Sequence, residues 1–291
     1  MGSKILRELR KLATTVSPRL ANGIMYYAMT KKKLNLKAPQ TFNEKLSWLK
    51  LKVFPHDPDV VRCADKVAVR EYVQSMGHGE ILNTLYGTWD TAEEINWAVL
   101  PEQFVLKCNH GCGYNIVCTD KSALDQQWAS AQLRKWLAED FWKVACEPHY
   151  QAIPRKILCE RYLGADLLNY KFFCFQGKAE FFYISQNVDG DFRKALLTCY
   201  TMDGQVADFW LANHQRFPVP PELPPELPRM VKLAQELAGR FPFVRVDLFV
   251  VEGKIYLSEL TFTPLSGMIP FTPKETDEKL GRYIDLCRFG L

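Results

Sequence analysis

Two carboxylates near the C-terminus are placed where they could hold a divalent cation. Asp247 and Glu259 lie in apolar, β-rich runs on either side of a Glu-Gly pair at 252–253, so this stretch is predicted to form a β-hairpin. Counting outward from the turn places residues 249–250 opposite about 256–257, which brings Asp247 near Glu259. Two acids inside an apolar hairpin repel each other and lose hydration unless a cation holds them, and hard divalent ions take oxygen ligands.

The same two acids also have an explanation without a metal. Each could lie at a strand end, where it would be solvated or salt-bridged to Arg245 or Lys254. A carboxylate beside a protein cation keeps its charge without a metal ion. The spacing of the acids therefore leaves both possibilities open.

A glycine-rich turn between two short strands could approach phosphate groups. Residues 104–108 are predicted to form one strand and residues 116–118 the returning strand, with Gly111 and Gly113 in the turn. Backbone N–H groups of such a turn can come close to phosphates, although the G-K-[ST] ending of a Walker A loop is missing. From the residues alone, an ordinary hairpin remains the alternative.

A third candidate is a lysine inside an aromatic strand. Lys171 stands in the run Y-K-F-F-C-F at residues 170–175. A lysine is costly to bury in such surroundings unless it is paired, so we expect it to meet an anion.

Several separated blocks resemble one family. The stretch R-V-D-L-F…G-K-I-Y-L-S-E-L-T-F at 245–262 looks like the metal-binding hairpin of ATP-grasp enzymes. More closely, it resembles the TupA-like ATP-grasp family, named for teichuronopeptide biosynthesis. The resemblance runs from about Phe42 to the C-terminus and includes W-D at 89–90, L-P-x-Q-F-V-L-K-C at 100–108 and N-Y-K-F-F-C-F-x-G-K at 169–178. Separate blocks in the same order are more specific than one motif.

The resemblance implies an α+β ATP-grasp fold in which two lobes clamp ATP between antiparallel sheets. We expect a basic helical segment over 1–60, a nucleotide lobe with a glycine-rich flap over 61–163, and a C-terminal metal and catalytic lobe over 164–291. Hydrophobic periodicity predicts helices over 59–76 and 124–144.

The resemblance also assigns the phosphate contacts. It implies that Lys107 binds the α- and β-phosphates of ATP and that the turn at 111–113 closes over the γ-phosphate. Lys66, from an Asp-Lys pair, would reach the phosphates as well, with a surface ion pair as the alternative. Lys171 is assigned to the phosphates too, although the family usually has Asp where this chain has Asn169.

The segment from Ile157 to Gly164 resembles the hinge between the lobes. There the backbone reads the adenine edge, which implies roles for the carbonyl of Arg161 and the N–H of Leu163. Glu160 would fix the adenine amino group, and Asp166 could reach the ribose hydroxyls.

For the metal and the catalytic groups, the resemblance places Mg²⁺ on Asp247 and Glu259. Thr261 stands where many ATP-grasp enzymes have an Asn ligand, so its hydroxyl or a water could fill that place. Arg245 is included among the catalytic candidates. Arg193 follows a Gly-Asp turn and could bind an acyl phosphate or an acceptor carboxylate, with a solvated loop as an equal alternative.

The implied reaction is carboxylate activation. A substrate carboxylate attacks the γ-phosphorus of ATP, an amine then displaces phosphate from the acyl phosphate, and an amide, ADP and phosphate result. The family context implies a glycan carboxylate, such as a uronic acid of a capsule or surface polysaccharide, and an amino acid or other amine.

Three alternative functions remain. They are a glycosyltransferase, an ATP-grasp sugar kinase and a non-catalytic nucleotide-binding scaffold. The D-x-D signature of many glycosyltransferases is matched in letters at 57–59 and 189–191, but neither match ends a convincing strand.

Composition is that of an ordinary soluble globular protein. The 291 residues are 47% hydrophobic and 24% charged, and no apolar run approaches the length that spans a bilayer. The nine cysteines are scattered through strand-like apolar runs, which predicts reduced, buried thiols in a cytoplasmic protein.

Charge is distributed unevenly along the chain. Residues 1–37 contain nine Lys or Arg and one acid, Glu8, a balance of +8, so the remainder carries 4 − 8 = −4. Ile5, Leu6, Leu9 and Leu12 recur at helical spacing among basic residues, and such a helix can lie peripherally on the anionic inner face of a membrane. The alternative is a helix packed on the body with solvated lysines. Nucleic acid is not an expected partner, because no recognised binding module is present.

Overall fold

The computed structural model describes residues 2–188 and 191–291, and the side chains of 2–4, 188 and 191–193 lie outside the described part. The described α-helices, in chain order, are α1 (Gly2–Val16), α2 (Pro18–Thr30), α3 (Phe42–Lys52), α4 (Pro58–Ala64), α5 (Val69–Ser75), α6 (Gln126–Leu137), α7 (Phe141–Ala145), α8 (Leu227–Ala238) and α9 (Glu275–Gly281). The described strands are β1 (Leu85–Trp89), β2 (Phe104–Cys108), β3 (Asn115–Cys118), β4 (Ile157–Arg161), β5 (Asn169–Phe175), β6 (Lys178–Val188), β7 (Asp191–Thr201), β8 (Trp210–Leu211), β9 (Val244–Val251), β10 (Lys254–Thr261) and β11 (Phe271–Thr272).

Two antiparallel sheets form the framework. The smaller has the order β1-β4-β2-β3, and the larger has the order β10-β9-β5-β6-β7. Strands β8 and β11 form a separate two-stranded pair. Helices pack against both main sheets, which gives the predicted α+β class.

The smaller sheet buries one face under α6. Along β2, Phe104, Leu106 and Cys108 are fully buried, whereas the alternate residues are half-buried. This period of two is that of a strand with one face in a core. It directs Lys107 to the face opposite that core.

The larger sheet has an aromatic core. The ring of Phe42, at the start of α3, lies 4.9 Å from that of Phe243 and 5.8 Å from that of Phe175, centroid to centroid. A capping box between Thr41 and Glu44 fixes the start of α3. Helices α3, α4 and α5 therefore share the core of the larger sheet, while the predicted division at 1–60, 61–163 and 164–291 stays a prediction.

Two predicted helices are broken in the structure. The helix predicted over 59–76 is wrong, because Asp65 leaves the helical conformation (ψ 117°) and separates α4 from α5. Its carboxylate accepts hydrogen bonds from the Val67 N–H and from Asn109 Nδ2, each at 2.8 Å. The helix predicted over 124–144 is likewise divided into α6 and α7.

Helices α1 and α2 form the N-terminal hairpin. Ser17 separates them, and its Oγ accepts a hydrogen bond from the Leu20 N–H at 3.2 Å. Helix α1 packs against α2 and α7. Among the described residues, no helix combines the length and apolar character needed to cross a membrane. All nine cysteines are free and seven of them are buried, but the predicted burial is wrong for Cys112 and Cys287, which are exposed.

Candidate functional site

The predicted hairpin is confirmed, and its two acids are paired. Glu259 on β10 lies opposite Asp247 on β9, and Asp247 lies opposite Lys171 on β5. Near the turn, the observed register differs by one position from the register predicted by counting outward, since Val250 pairs with Ile255. A β-bulge at Ser258 then shifts the register and returns Glu259 to Asp247. Residues directly opposite in antiparallel strands share a face, so the three charges form a row across the sheet.

Arg245 lies two residues from Asp247 and binds both acids. Its Nε and Nη2 donate to the two oxygens of Asp247, each at 2.6 Å, and Nη2 also donates to Glu259 Oε1 at 3.1 Å. Lys171 Nζ donates to Asp247 Oδ2 as well. Asp247 has no solvent exposure. The salt bridge to Arg245 that the sequence left open is therefore present, and the protein supplies its own cations to this buried acid.

Thr261 belongs to the same network. Its hydroxyl donates to Glu259 Oε1 at 2.9 Å and accepts from Arg245 Nη2 at 3.0 Å. Burial alone would raise the pKa of Glu259, but Lys66, Arg245 and Lys171 outweigh it and lower that pKa to about 2. The carboxylate is therefore ionised at neutral pH.

The donor set fits a hard divalent ion that arrives with a triphosphate. Both oxygens of Asp247 already accept hydrogen bonds, whereas the hydrogen bonds to Glu259 from the described residues fall on Oε1, and this side chain is 33% exposed. No group of three His, Cys, Asp or Glu side chains that could hold a metal occurs in the described part of the chain. Mg²⁺ typically takes one or two carboxylates together with substrate phosphates, which matches a site with two acids.

Lys66 connects the glycine-rich turn to this row. The break after Asp65 frees Lys66 from the helix, and its Nζ donates to the carbonyl of Gly111. Lys66 is also the largest of the cationic influences that lower the pKa of Glu259. One lysine therefore lies where it can act on both the glycine-rich turn with its flanks, residues 108–115, called the flap below, and the acids.

The turn needs both of its glycines. A Cβ at Gly111 would lie 2.6 Å from the ring of Tyr114, so a larger residue would displace that ring. Gly113 has φ +76°, a conformation that favours glycine. These two glycines therefore allow the close turn that the sequence predicted.

Lys107 forms a second charged group on the smaller sheet. Its Nζ lies 2.6 Å from Glu160 Oε2, and Arg70 Nη1 lies 3.2 Å from Glu160 Oε1. Arg70 also donates to the carbonyl of Asn83 at 2.7 Å. No motif pointed to Arg70, which lies on α5 after the break at Asp65.

The backbone of the predicted hinge, residues 157–164, is hydrogen-bonded to the segment before β1. The Arg161 carbonyl accepts from Asn83 Nδ2 at 2.8 Å, and its N–H donates to the Thr84 carbonyl at 3.0 Å. Leu163 is half-buried, and Asp166 is exposed with φ 52°. Their assigned roles toward adenine and ribose stay predictions. Arg193 lies on β7, and its side chain is outside the described residues.

The sequence did not indicate a buried acid beneath the loop after β10. Burial raises the pKa of Glu147 to about 7, although the charge of Lys50 and the side chains of Thr263 and Ser266 oppose the shift. Lys50 is itself fully buried and donates to the Ser266 carbonyl at 2.6 Å. Ser266 has φ 56°. A buried acid and a buried lysine, Glu147 and Lys50, thus lie beneath this loop, and Lys50 is hydrogen-bonded to it.

Comparison with known families agrees with this geometry. The profile of the TupA-like ATP-grasp family matches residues 44–285. The chain belongs to the TupA-like ATP-grasp family. This membership confirms the predicted α+β ATP-grasp fold, and the match covers both sheets and the whole row of charges.

Solved structures give a weaker likeness. The chain is similar to the D-alanine–D-alanine ligase of Bacillus anthracis in complex with ATP (15% identity, TM-score 0.43, 83% of this chain and 63% of that chain). It is similar to the L-amino acid ligase of Bacillus licheniformis (14% identity, TM-score 0.49, 77% of this chain and 49% of that chain). The chain thus spans less than two thirds of the length of these ligases. A search of curated proteins found no match.

Proposed function

We propose that this protein is an ATP-dependent carboxylate–amine ligase that uses Mg²⁺. The observation that carries the proposal is the row Lys171, Asp247 and Glu259, with Arg245 bonded to both acids. Membership of an ATP-grasp family supports ATP as the phosphoryl donor. The row offers both cations for phosphate oxygens and acids for a divalent ion.

The residues of the row would act mainly by positioning and by neutralising charge. When bound at Asp247 and Glu259, Mg²⁺ would neutralise phosphate oxygens. Lys171, Arg245 and Lys66 would hold the terminal phosphates, and Lys107 would hold the α- and β-phosphates from the other sheet. Such preorganised charges supply most of the rate enhancement in phosphoryl transfer.

The proposed reaction has two steps. An oxygen of the substrate carboxylate bonds to the γ-phosphorus while the bond from that phosphorus to the bridging oxygen breaks, and ADP leaves. The amine then attacks the carbonyl carbon of the acyl phosphate, phosphate leaves, and the amine loses a proton. We propose a uronic acid of a surface polysaccharide as the carboxylate and an amino acid or other amine as the nucleophile, which rests on the family resemblance.

The structure gives one observation against a glycosyltransferase. In the D-x-D match at 57–59, Asp57 caps α4, since its Oδ1 accepts from the Asp59 N–H at 3.0 Å. Arg240 Nη2 also donates to Asp57 at 2.9 Å and to Asp59 at 2.7 Å. These acids have structural partners and lie at a helix start, and the second match, at 189–191, includes residues outside the described part.

The proposal is tested by phosphate release against a panel of uronic acids paired with amino acids. With a carboxylate present and no amine, hydroxylamine should trap the acyl phosphate as a hydroxamate. Transfer of phosphate to a sugar hydroxyl without any hydroxamate would instead indicate a kinase. Nucleotide binding without turnover on any pair would favour the scaffold.

We also propose a peripheral contact between residues 1–37 and an anionic membrane face. The outer side of α1 exposes Leu9 (56%) and Leu12 (62%), and the outer side of α2 exposes Ile24 (57%). Exposed basic residues accompany them, Arg10, Arg19 and Lys31–Lys33 among them, and such charges are attracted to anionic lipids.

Vesicle sedimentation of the full chain tests this contact. Binding should be strong at low salt and lost at high salt, because the attraction is screened. Leu9→Glu combined with Leu12→Glu should abolish binding, while Val99→Glu, at a valine that is even more exposed (73%) and far along the chain, should not. A stable dimer broken by the same double variant, without vesicle binding, would assign the face to a second copy of the chain and overturn the proposal.

A further inference from the structure

Helix α1 packs on the body through its polar side. Arg7 Nε donates to Glu139 Oε1 at 3.1 Å, and Lys11 Nζ lies 3.3 Å from the same oxygen. Arg7, Lys11 and the buried Thr14 recur at i, i+4 and i+7, so they share one face of the helix. An amphipathic helix on a globular body normally buries its apolar face instead. In this protein that face, which carries Leu9 and Leu12, points outward.

Glu139 is shared between α1 and the glycine-rich flap. It follows α6, and its Oε2 accepts a hydrogen bond from the Tyr114 hydroxyl at 2.5 Å. Tyr114 is the residue at which the flap returns to β3. Arg7, Lys11 and Tyr114 together lower the pKa of Glu139 although burial, the largest single influence, acts to raise it. The carboxylate is therefore charged while it holds both elements.

Tyr114 in turn packs against Gly111, the flap residue that Lys66 contacts. Its ring stacks on Trp136 with centroids 5.4 Å apart and covers Gly111, where a Cβ would come within 2.6 Å of the ring. The Gly111 carbonyl then accepts the hydrogen bond from Lys66. An unbroken series of direct contacts runs from α1 through Glu139 and Tyr114 to Lys66.

We propose that α1 is a clamp on the flap, and that an anionic membrane face bound to the outer side of α1 strengthens this clamp through Glu139 and Tyr114. A helix of 15 residues is marginal in water on its own, so undocked α1 must first order before its apolar face can bind lipid. Docked α1 already presents Leu9 and Leu12 on one ordered outer face, so an anionic membrane binds the docked state more tightly and shifts the population of α1 toward it. The flap is thereby held in the form that meets Lys66.

The clamp rests on the proposed function in taking ATP as the ligand of the flap and an anionic membrane face as the ligand of α1, and it does not depend on amide formation. Coupling between two binding events is reciprocal. Vesicles should therefore tighten the binding of ATP, and ATP should tighten the binding of vesicles by the same factor. The partner recognised by α1 is a lipid surface with negative charge, because the exposed residues of this segment are apolar and basic.

The first experiment measures the affinity of the full chain for a non-hydrolysable ATP analogue. Titrations are run with and without vesicles of phosphatidylglycerol mixed with phosphatidylcholine. We expect vesicles to lower the Kd about fivefold or more, the usual range of allosteric coupling. Glu139→Gln should still bind vesicles but lose this shift, because Arg7 and Lys11 lose their charged partner. Val99→Glu should keep the full shift.

Hydrogen exchange of the flap amides at 108–115 gives a readout without nucleotide. Vesicles should slow this exchange in the wild type and leave it unchanged in Glu139→Gln. Tyr114→Phe keeps the ring over Gly111 and removes only the hydroxyl, so it should also lose the vesicle effect. If Glu139→Gln does not fold, Arg7→Gln with Lys11→Gln replaces it at partly exposed positions of α1.

The outcomes separate the clamp from the proposed function. If the analogue does not bind at all, the proposed function fails, while flap exchange with vesicles still tests the clamp. If vesicles bind but change neither analogue affinity nor flap exchange, the clamp is overturned and the ligase proposal is untouched. An equal vesicle effect in wild type and Glu139→Gln would overturn the clamp as well.

Discussion

Two lysines of this protein meet carboxylates on different sheets, and their surroundings differ. On the larger sheet, Lys171 bonds to Asp247, which is wholly buried and also held by Arg245. On the smaller sheet, Lys107 bonds to Glu160, and its side chain is 24% exposed. The first lysine belongs to a buried network in which the loss of one member leaves an unpaired charge, whereas we propose that the second exchanges its partner for a phosphate. The charges on the larger sheet are thus held in one buried network, whereas the lysine on the smaller sheet is partly exposed and has more freedom to move.

The largest difference is expected when each carboxylate is neutralised. Asp247→Asn removes the buried carboxylate that Arg245 and Lys171 share, which should cost about 3–5 kcal/mol of unfolding free energy. Glu160 is buried too, but its partners Lys107 and Arg70 stay partly exposed (24% and 17%), so Glu160→Gln should cost less, about 1–3 kcal/mol. Urea unfolding of wild type and both variants measures these two losses of unfolding free energy. Equal losses would contradict the contrast between the sheets.

A smaller effect is expected beneath the loop after β10. The pKa of Glu147 is raised to about 7 by burial, so its folded form binds a proton that the unfolded chain releases near pH 4.5. The stability of the wild type should therefore decline as pH rises from about 4.5 to 7. Glu147→Gln should remove this decline, a gain of up to about 3 kcal/mol at pH 8 and little below pH 4.5.

Thermal unfolding of Glu147→Gln and wild type across pH 4–8 measures that gain. Glu71→Gln, a change at an exposed residue of α5, serves as the matched control and should show no such difference. A variant that is less stable than wild type at pH 8 would show that the charged form of Glu147 is the one that the fold needs.

The smallest stability effect, with a large effect on activity, is expected at Lys107. Lys107→Ala leaves Glu160 paired with Arg70, so the unfolding free energy should change by about 1 kcal/mol or less. The hydroxamate signal should nevertheless disappear, because a charge-assisted contact to the triphosphate is lost. Lys107→Arg should keep some ATP binding but position the donor poorly, since a fork replaces a point charge. Full hydroxamate formation by Lys107→Ala would remove this lysine from the site.

Much of this contrast could be predicted from the sequence. The hairpin, the pairing of Asp247 with Glu259 and the strand that carries Lys107 follow from β-rich runs, turn residues and alternation, which are local signals. The bulge at Ser258 was not predictable, because a single extra residue changes register without a distinct pattern. Counting outward from the turn predicts the correct pair, Asp247 with Glu259, although the predicted register near the turn differs by one residue from the observed one.

The remaining features depend on partners far along the chain. The helix break at Asp65 is fixed partly by Asn109, which lies 44 residues away, and Arg70, which pairs with Glu160, lies on α5 after this break. The outward apolar face of α1 depends on Glu139, which is 132 residues from Arg7. Helical periodicity identifies an amphipathic helix, but it does not tell which face a distant acid will attract.

The most direct test of the proposed ligase is the identity of the nucleotide product. Wild type, a uronic acid and an amine are incubated with ATP and Mg²⁺, and the products are separated by chromatography, with Glu259→Gln as the paired variant. Attack on the γ-phosphorus predicts ADP and phosphate from the wild type and little of either from Glu259→Gln. AMP and pyrophosphate, or undiminished ADP formation by Glu259→Gln, would contradict the assignment of the reaction to the row of charges on the larger sheet.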